Sequence, residues 1–229
     1  KGALAVEMMD YASLVSYMGK RPDLPAGTTA MLVDFGASTP DEMAQRVAEL
    51  TPQFKALPSL SRMEPFTTTV AERAALWKMR DGIFPCVAGA RVPGATVILE
   101  DIAAPLGDLD RLVDGVQSLF AKYGYDGAIF GHARAGNIHP MLTSTMSDER
   151  DTTRFRNFMD DMVSHVLSLD GSLKGEHGTG RAIAPFVARE WGDEIYCLMK
   201  RLKQLADPGN VLNPGVIINP DRECFMGPM

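Results

Sequence analysis

Cysteine is scarce in this chain. Cys86, Cys197 and Cys224 are widely separated and form no C-x-x-C pair. No disulfide framework or cysteine-held metal cluster can be read from that spacing, and free thiols in a reducing cytosol are the default. No apolar run reaches the ~18–20 residues needed to cross a bilayer, so no transmembrane segment is expected. No secretory leader is visible either. The expected location is cytoplasmic, or peripheral at the inner face of the membrane. Basic residues are the minority, 23 against 29 acidic, for a net charge of −6. That balance argues against nucleic acid as a partner, because phosphate binding needs a basic face. A small anionic substrate needs only one local cation and stays open. No glycine-rich phosphate loop is present, and Lys1 stands where an initiator Met would. The expectation is a piece cut from a longer protein.

The 229 residues, 45% of them hydrophobic, suffice to bury a substantial core. Residues 3–9 and 30–36 read as strands. Thr39-Pro40-Asp41-Glu42 is a helix start, with Thr39 as cap, Pro40 in the first turn and Glu42 completing a capping box. Residues 66–70 and 95–102 read as strands, with a helix from about Glu72 to Ile83 between them. Asp108 is placed to cap a helix whose stripe is Leu109, Leu112, Val113, Val116, Leu119 and Phe120. Residues 127–143 read as extended and interrupted by a turn. A helix then carries Phe155, Phe158, Met159, Met162, Val166 and Leu169, stopped by Asp170-Gly171. A last helix is expected near 193–206, before the turn-formers Asp207-Pro208-Gly209 and Asn213-Pro214-Gly215. Irregular β/α spacing favours an α+β fold: an antiparallel sheet in a ferredoxin-like arrangement, covered by helices on one side, with a helical C-terminal part.

Of four histidines, His165 lies on the flank of a helical stripe and reads as a boundary residue. His132 and His139 bracket Gly136-Asn137, residue types that reverse a chain. A reversal there would make the two imidazoles cross-strand neighbours, a geometry suited to one divalent ion. A purely structural role fits the spacing about as well. Residues 171–181 hold four glycines, which implies close backbone approach or repeated positive φ. Glu176-His177 sits inside that loop. His132, His139 and Glu176 would form a two-His, one-carboxylate set with open positions, the catalytic rather than the structural pattern. His177 would be left over to take a proton. Arg80 projects from the apolar face of its helix, and a buried guanidinium needs an anion. That anion is either a ligand carboxylate or an internal partner such as Glu100 or Asp101.

Three motifs resemble those of the C-terminal domain of FAD-linked oxidases, a family that includes D-lactate dehydrogenase, the glycolate oxidase D subunit and D-2-hydroxyglutarate dehydrogenase. The first, GHxGDGNxH in the family, runs here from Gly131-His132 to Asn137-Ile138-His139, with Arg134 and Ala135 replacing Gly-Asp. The second is Gly171 to Gly180 (Gly-x-x-x-Gly-Glu-His-Gly-x-Gly). The third is Asp207-Pro208 with Leu212-Asn213-Pro214-Gly215. The resemblance is strongest from Thr96 to Asn219. The wording of the motifs is most similar to the bacterial D-lactate dehydrogenases that carry a further iron–sulfur domain.

The resemblance implies a substrate or cap domain over residues 1–229, with the main FAD-binding domain and an iron–sulfur domain lying outside this chain. The isolated chain would then be inactive, and with no phosphate loop of its own it is expected to fold without retaining FAD. It implies His132, His139 and Glu176 as ligands of a divalent metal (Zn, Mn or Fe), and His177 as the base for the substrate hydroxyl. Arg80 would bind the substrate carboxylate, and Asn137 and Asn213 would contact the flavin. The implied partners are a small 2-hydroxy carboxylate, with D-lactate favoured because Leu99 stands where a second carboxylate would need a lysine, and a quinone or cytochrome as electron acceptor. Glycolate and D-2-hydroxyglutarate remain alternatives. So do a metal-dependent hydrolase built on the same His/His/Glu set, and a binding module that kept the motifs as scaffold.

Overall fold

The structure is a computed structural model that describes residues 2–19, 24–57, 65–219, 221 and 223–226. In chain order the elements are β1 (Ala3–Met9), α1 (Tyr11–Met18), β2 (Ala30–Phe35), α2 (Pro40–Lys55) and α3 (Val70–Gly89). They continue with β3 (Thr96–Leu99), β4 (Ile102–Ala103), α4 (Leu109–Tyr123), β5 (Ala128–His132), β6 (Asn137–Ser144), α5 (Glu149–Ser168), α6 (Gly180–Ile183) and α7 (Val187–Ala206). The fold is α+β with antiparallel strands, as the irregular spacing implied. The chain divides into two compact units. One comprises residues 1–90 and 128–134, the other residues 91–127 and 135–229.

In the first unit β1 is the central strand. It pairs antiparallel with β2 and with β5, and Glu7 stands opposite His132. Helix α1 starts at Asp10, whose carboxylate accepts from the Ser13 amide at 2.9 Å. It packs on α3 closely enough that a Cβ at Gly82 would lie 2.4 Å from the Tyr17 ring. Met8, Met9, Leu14, Ile83, Ile129 and Phe130 are buried here. Thr39 caps α2 as expected, accepting from the Glu42 amide at 3.2 Å, while the Glu42 carboxylate reaches back to the Ser38 amide. Residues 66–70 are not the expected strand. The Thr67 and Thr69 hydroxyls donate to the Glu72 carboxylate in the first turn of α3, so this segment is the helix's lead-in. Phe66 turns into an edge-to-face cluster with Phe35 and Phe54, which accounts for its apolar character.

In the second unit β3 and β4 both pair antiparallel with β6. The single strand expected over 95–102 is therefore split at Glu100-Asp101. The register runs through unchanged, from Leu99 opposite Met141 to Ile102 opposite Ile138. Glu100 thus faces Pro140, which has no N–H to give the ladder, and Asp101 faces His139. On its outer side Ala103 exchanges two backbone hydrogen bonds with Ser172, at 2.8 and 2.9 Å. Helices α4 and α5 bury the expected stripes, including Leu112, Val116, Phe120, Phe158, Met159 and Met162. Each such side chain contributes about 1.5–3 kcal/mol. Phe120 stacks on Phe158 at 5.7 Å.

His165 sits between these two helices. Its Nε2 lies 3.1 Å from the Arg111 carbonyl and would be 1.9 Å from a Cβ at Gly115, so it is a half-buried packing residue at the helix boundary, as expected. Asp108 does not cap α4 with its side chain. The carboxylate accepts from Arg111 at 2.6 Å instead. Helix α7 is interrupted at Gly192 (φ 78°), so its regular part begins near the residue 193 expected from the sequence.

Candidate active site

Within the first unit, Glu7 forms a buried ion pair with Arg80 and also contacts the partly exposed His132. It is a lone acid in an apolar strand, 4% exposed. Its Oε2 accepts from Arg80 Nε at 2.8 Å, and its Oε1 lies 2.8 Å from His132 Nδ1. Arg80 is buried on α3, as its helical position implied, with its guanidinium 5.2 Å from the centre of the Phe130 ring. Its internal partner is Glu7, not Glu100 or Asp101. Because Glu7 bonds Nε, the two Nη groups form the other edge of the fork, the edge that grips a carboxylate bidentately. A histidine held through Nδ1 by a carboxylate directs Nε2 outward, the arrangement usual for metal-binding imidazoles.

Within the second unit, the loop 171–179 is drawn onto the split strand. Gly175 donates from its amide to the Asp101 carbonyl at 3.1 Å. The amides of Glu176 and His177 both donate to Asp101 Oδ2 at 2.7 Å. Asn137 Nδ2 donates to Asp101 Oδ1 at 2.6 Å and to the Ile102 carbonyl at 3.1 Å. Burial pushes the Asp101 carboxyl up, but these amide donors outweigh it and hold the group below the usual carboxylate range. Neighbouring Glu100 shows the opposite balance. Burial raises it despite Lys174, whose Nζ lies 3.0 Å away.

The four loop glycines answer two needs. Gly171 and Gly175 allow close approach: a Cβ would fall 2.4 Å from the Ala103 carbonyl and 2.3 Å from Asn137 Nδ2, respectively. Gly178 and Gly180 adopt positive φ, 74° and 61°.

This packing gathers the expected residues of the unit. His139, 3% exposed, has its Nε2 3.2 Å from Glu176 Oε1. The His177 ring stacks on His139 with centroids 4.9 Å apart, and its Nε2 lies 3.7 Å from the same Glu176 oxygen. Glu176 and His177 are about half exposed while His139 is enclosed, so the cluster has one open side. Two ligands at ~2.1 Å from a tetrahedral ion are roughly 3.4 Å apart, and the His139–Glu176 separation fits a divalent cation. Of the two asparagines expected at the flavin, Asn137 is buried and commits its nitrogen to Asp101 and Ile102. Asn213 forms the turn after α7 in a left-handed conformation, φ 45°.

Sequence reasoning missed Glu7 and the loop-holding role of Asp101. The available signal was the same in both cases: an acid interrupting an otherwise apolar strand.

The fold and the site therefore define an α+β domain carrying paired histidine and carboxylate chemistry. The chain belongs to the FAD linked oxidases, C-terminal domain family, which matches residues 1–217. It is 32% identical over 158 residues to the glycolate oxidase subunit GlcD of Bacillus subtilis, covering 69% of this chain and 31% of that protein. It is 33% identical over 154 residues to the mitochondrial D-lactate dehydrogenase [cytochrome] of Arabidopsis thaliana, covering 66% of this chain and 26% of that one. A D-2-hydroxyglutarate dehydrogenase of Pseudomonas putida matches 95% of this chain at 28% identity, over 22% of its own length. The chain thus spans about a third or less of these relatives. Among solved structures, a 4-ethylphenol oxidase from Gulosibacter chungangensis shares the fold with a TM-score of 0.63 and 11% identity, over 94% of this chain and 48% of that one.

Proposed function

We propose that this chain is the substrate-side part of an FAD-dependent dehydrogenase that oxidises a small D-2-hydroxy acid, D-lactate foremost, to the 2-oxo acid. The observation that carries the reading is the His139–Glu176–His177 cluster, open on one side, in a chain of the FAD-linked oxidase family.

In this reading the Nη edge of Arg80 binds the substrate carboxylate, with Glu7 and Phe130 fixing its plane. His132, His139 and Glu176 would hold a divalent ion, which when bound supplies Lewis-acid polarisation of the substrate hydroxyl. His177 accepts the hydroxyl proton on an imidazole nitrogen as general base. FAD would supply the acceptor for the C2 hydride, and this chain would contribute orientation and electrostatics. Quinone or cytochrome would reoxidise the flavin in the longer protein.

The test is single-turnover flavin reduction in the full-length protein, using D and L forms of lactate, glycolate and D-2-hydroxyglutarate. Fast bleaching of the flavin with D-lactate, and slow bleaching with L-lactate, is expected. Absence of reduction by every hydroxy acid would overturn the reading. Preference for the dicarboxylate would move the substrate from lactate to hydroxyglutarate.

A further inference from the structure

We propose that Asp101 is a positioning residue: its buried carboxylate seats the Gly175–His177 backbone so that Glu176 and His177 face His139. The inference rests on the functional reading above and adds the part that makes the cluster.

Asp101 is fully buried; its short hydrogen bonds come from donors that shape the backbone, and its Oδ1 also lies 3.6 Å from His139 Nδ1. Oδ2 accepts two consecutive loop amides at 2.7 Å, Oδ1 accepts the Asn137 amide at 2.6 Å, and the carbonyl accepts the Gly175 amide at 3.1 Å. Asp101, His139 and His177 also offer ligand atoms within 4.8 Å of one another, so Asp101 could be taken for a ligand. Its hydrogen bonds account for its place without an ion: Oδ2 takes two loop amides and Oδ1 takes the Asn137 amide. The strand break that frees this position has its own cause, Pro140 across the ladder. The seat is tight, since a Cβ at Gly175 would lie 3.0 Å from Asp101 Oδ1 as well as clashing with Asn137.

Asparagine is nearly isosteric with aspartate but replaces one acceptor by a donor. In either orientation its NH₂ would face an existing N–H, from the loop amides or from Asn137. Asp101→Asn should therefore release the loop while keeping the core volume.

The experiment compares wild-type and Asp101→Asn full-length protein by hydrogen exchange and by retention of Zn²⁺ on dialysis. The amides of Glu176 and His177 should exchange roughly tenfold faster or more, the scale of one lost charge-assisted hydrogen bond. Zn²⁺ affinity should fall about 10–100-fold, as for other residues that orient ligands, with saturating Zn²⁺ restoring part of the activity. Exchange in α4 and α5 should stay at the wild-type rate. Wild-type exchange at residues 176 and 177 would overturn the proposal, and so would equal acceleration across α4 and α5. If Asp101→Asn does not fold, Gly175→Ala is used, since it lifts the same loop from the same carboxylate, and the same outcomes decide. The exchange readout is independent of substrate, so it can succeed where flavin reduction by hydroxy acids fails, and the reverse.

Discussion

The two polar clusters are built in opposite ways. Glu7, Arg80 and His132 stand on β1, α3 and β5, and each side chain is placed by a regular backbone ladder. Their geometry is carried by a buried ion pair, so the cluster is part of that unit's stability. His139 also stands on a strand, but Glu176 and His177 stand on a loop with no ladder of its own. A carboxylate that collects backbone amides holds that loop instead. The contrast teaches where damage should appear: removing Glu7, which only holds its neighbours, should be read as lost stability, and changes at the loop as lost function in a folded protein.

The largest expected effect belongs to the loop. In the full-length protein, His177→Ala should lower kcat by about 10²–10⁴-fold, the usual share of a general base. The denaturation midpoint should stay near wild type, because the side chain is about half exposed. Near-wild-type flavin reduction at saturating D-lactate, with metal bound, would remove His177 from the role of base.

Glu7→Ala should do the reverse. It leaves Arg80 buried without its carboxylate, a loss of about 3–5 kcal/mol, read as a lowered urea midpoint. The double variant Glu7→Gln/Arg80→Met, which removes both charges, should recover much of that loss. If the single and double variants are equally destabilised, the ion pair is not what holds this cluster.

The smallest effect concerns a second carboxylate that gathers amides. Asp207 accepts from the amides of Val211 and Leu212 at 3.0 and 2.8 Å and pairs with Lys203. The Lys203 ammonium and then these amides lower its pKa from 3.8 to about 2. The folded pKa is depressed, so the contribution is present above pH 3.8 and is lost as pH falls through about 2. The Val211 and Leu212 amide resonances should titrate in that window in wild type and lose that step in Asp207→Asn. A midpoint at the ordinary carboxylate value would show that the contact does not persist in solution.

Much of the frame was legible because it follows from periodicity and end chemistry. The stripes of α4 and α5, the Thr39 cap and the turn after α7 all lie within a few residues of sequence. So does the reason for the four loop glycines, since crowding and positive φ leave few other choices. The strand expected at 66–70 failed because threonine serves a β-strand and a helix lead-in equally well, and Glu72 decided between them. The strand at 95–102 was split by Pro140, some forty residues away, which no local window contains.

For the site, the sequence by itself determined which residue types were available: the imidazoles of His132, His139 and His177, the Glu176 carboxylate and the Arg80 guanidinium. Tertiary structure alone decided their settings. It gave Arg80 its partner Glu7, 73 residues away, and put Asp101 beneath two loop amides 75 and 76 residues ahead. The physical reason is that burial makes an unpaired charge or amide costly. The fold therefore has to bring each one a partner, and that partner comes from wherever the chain passes.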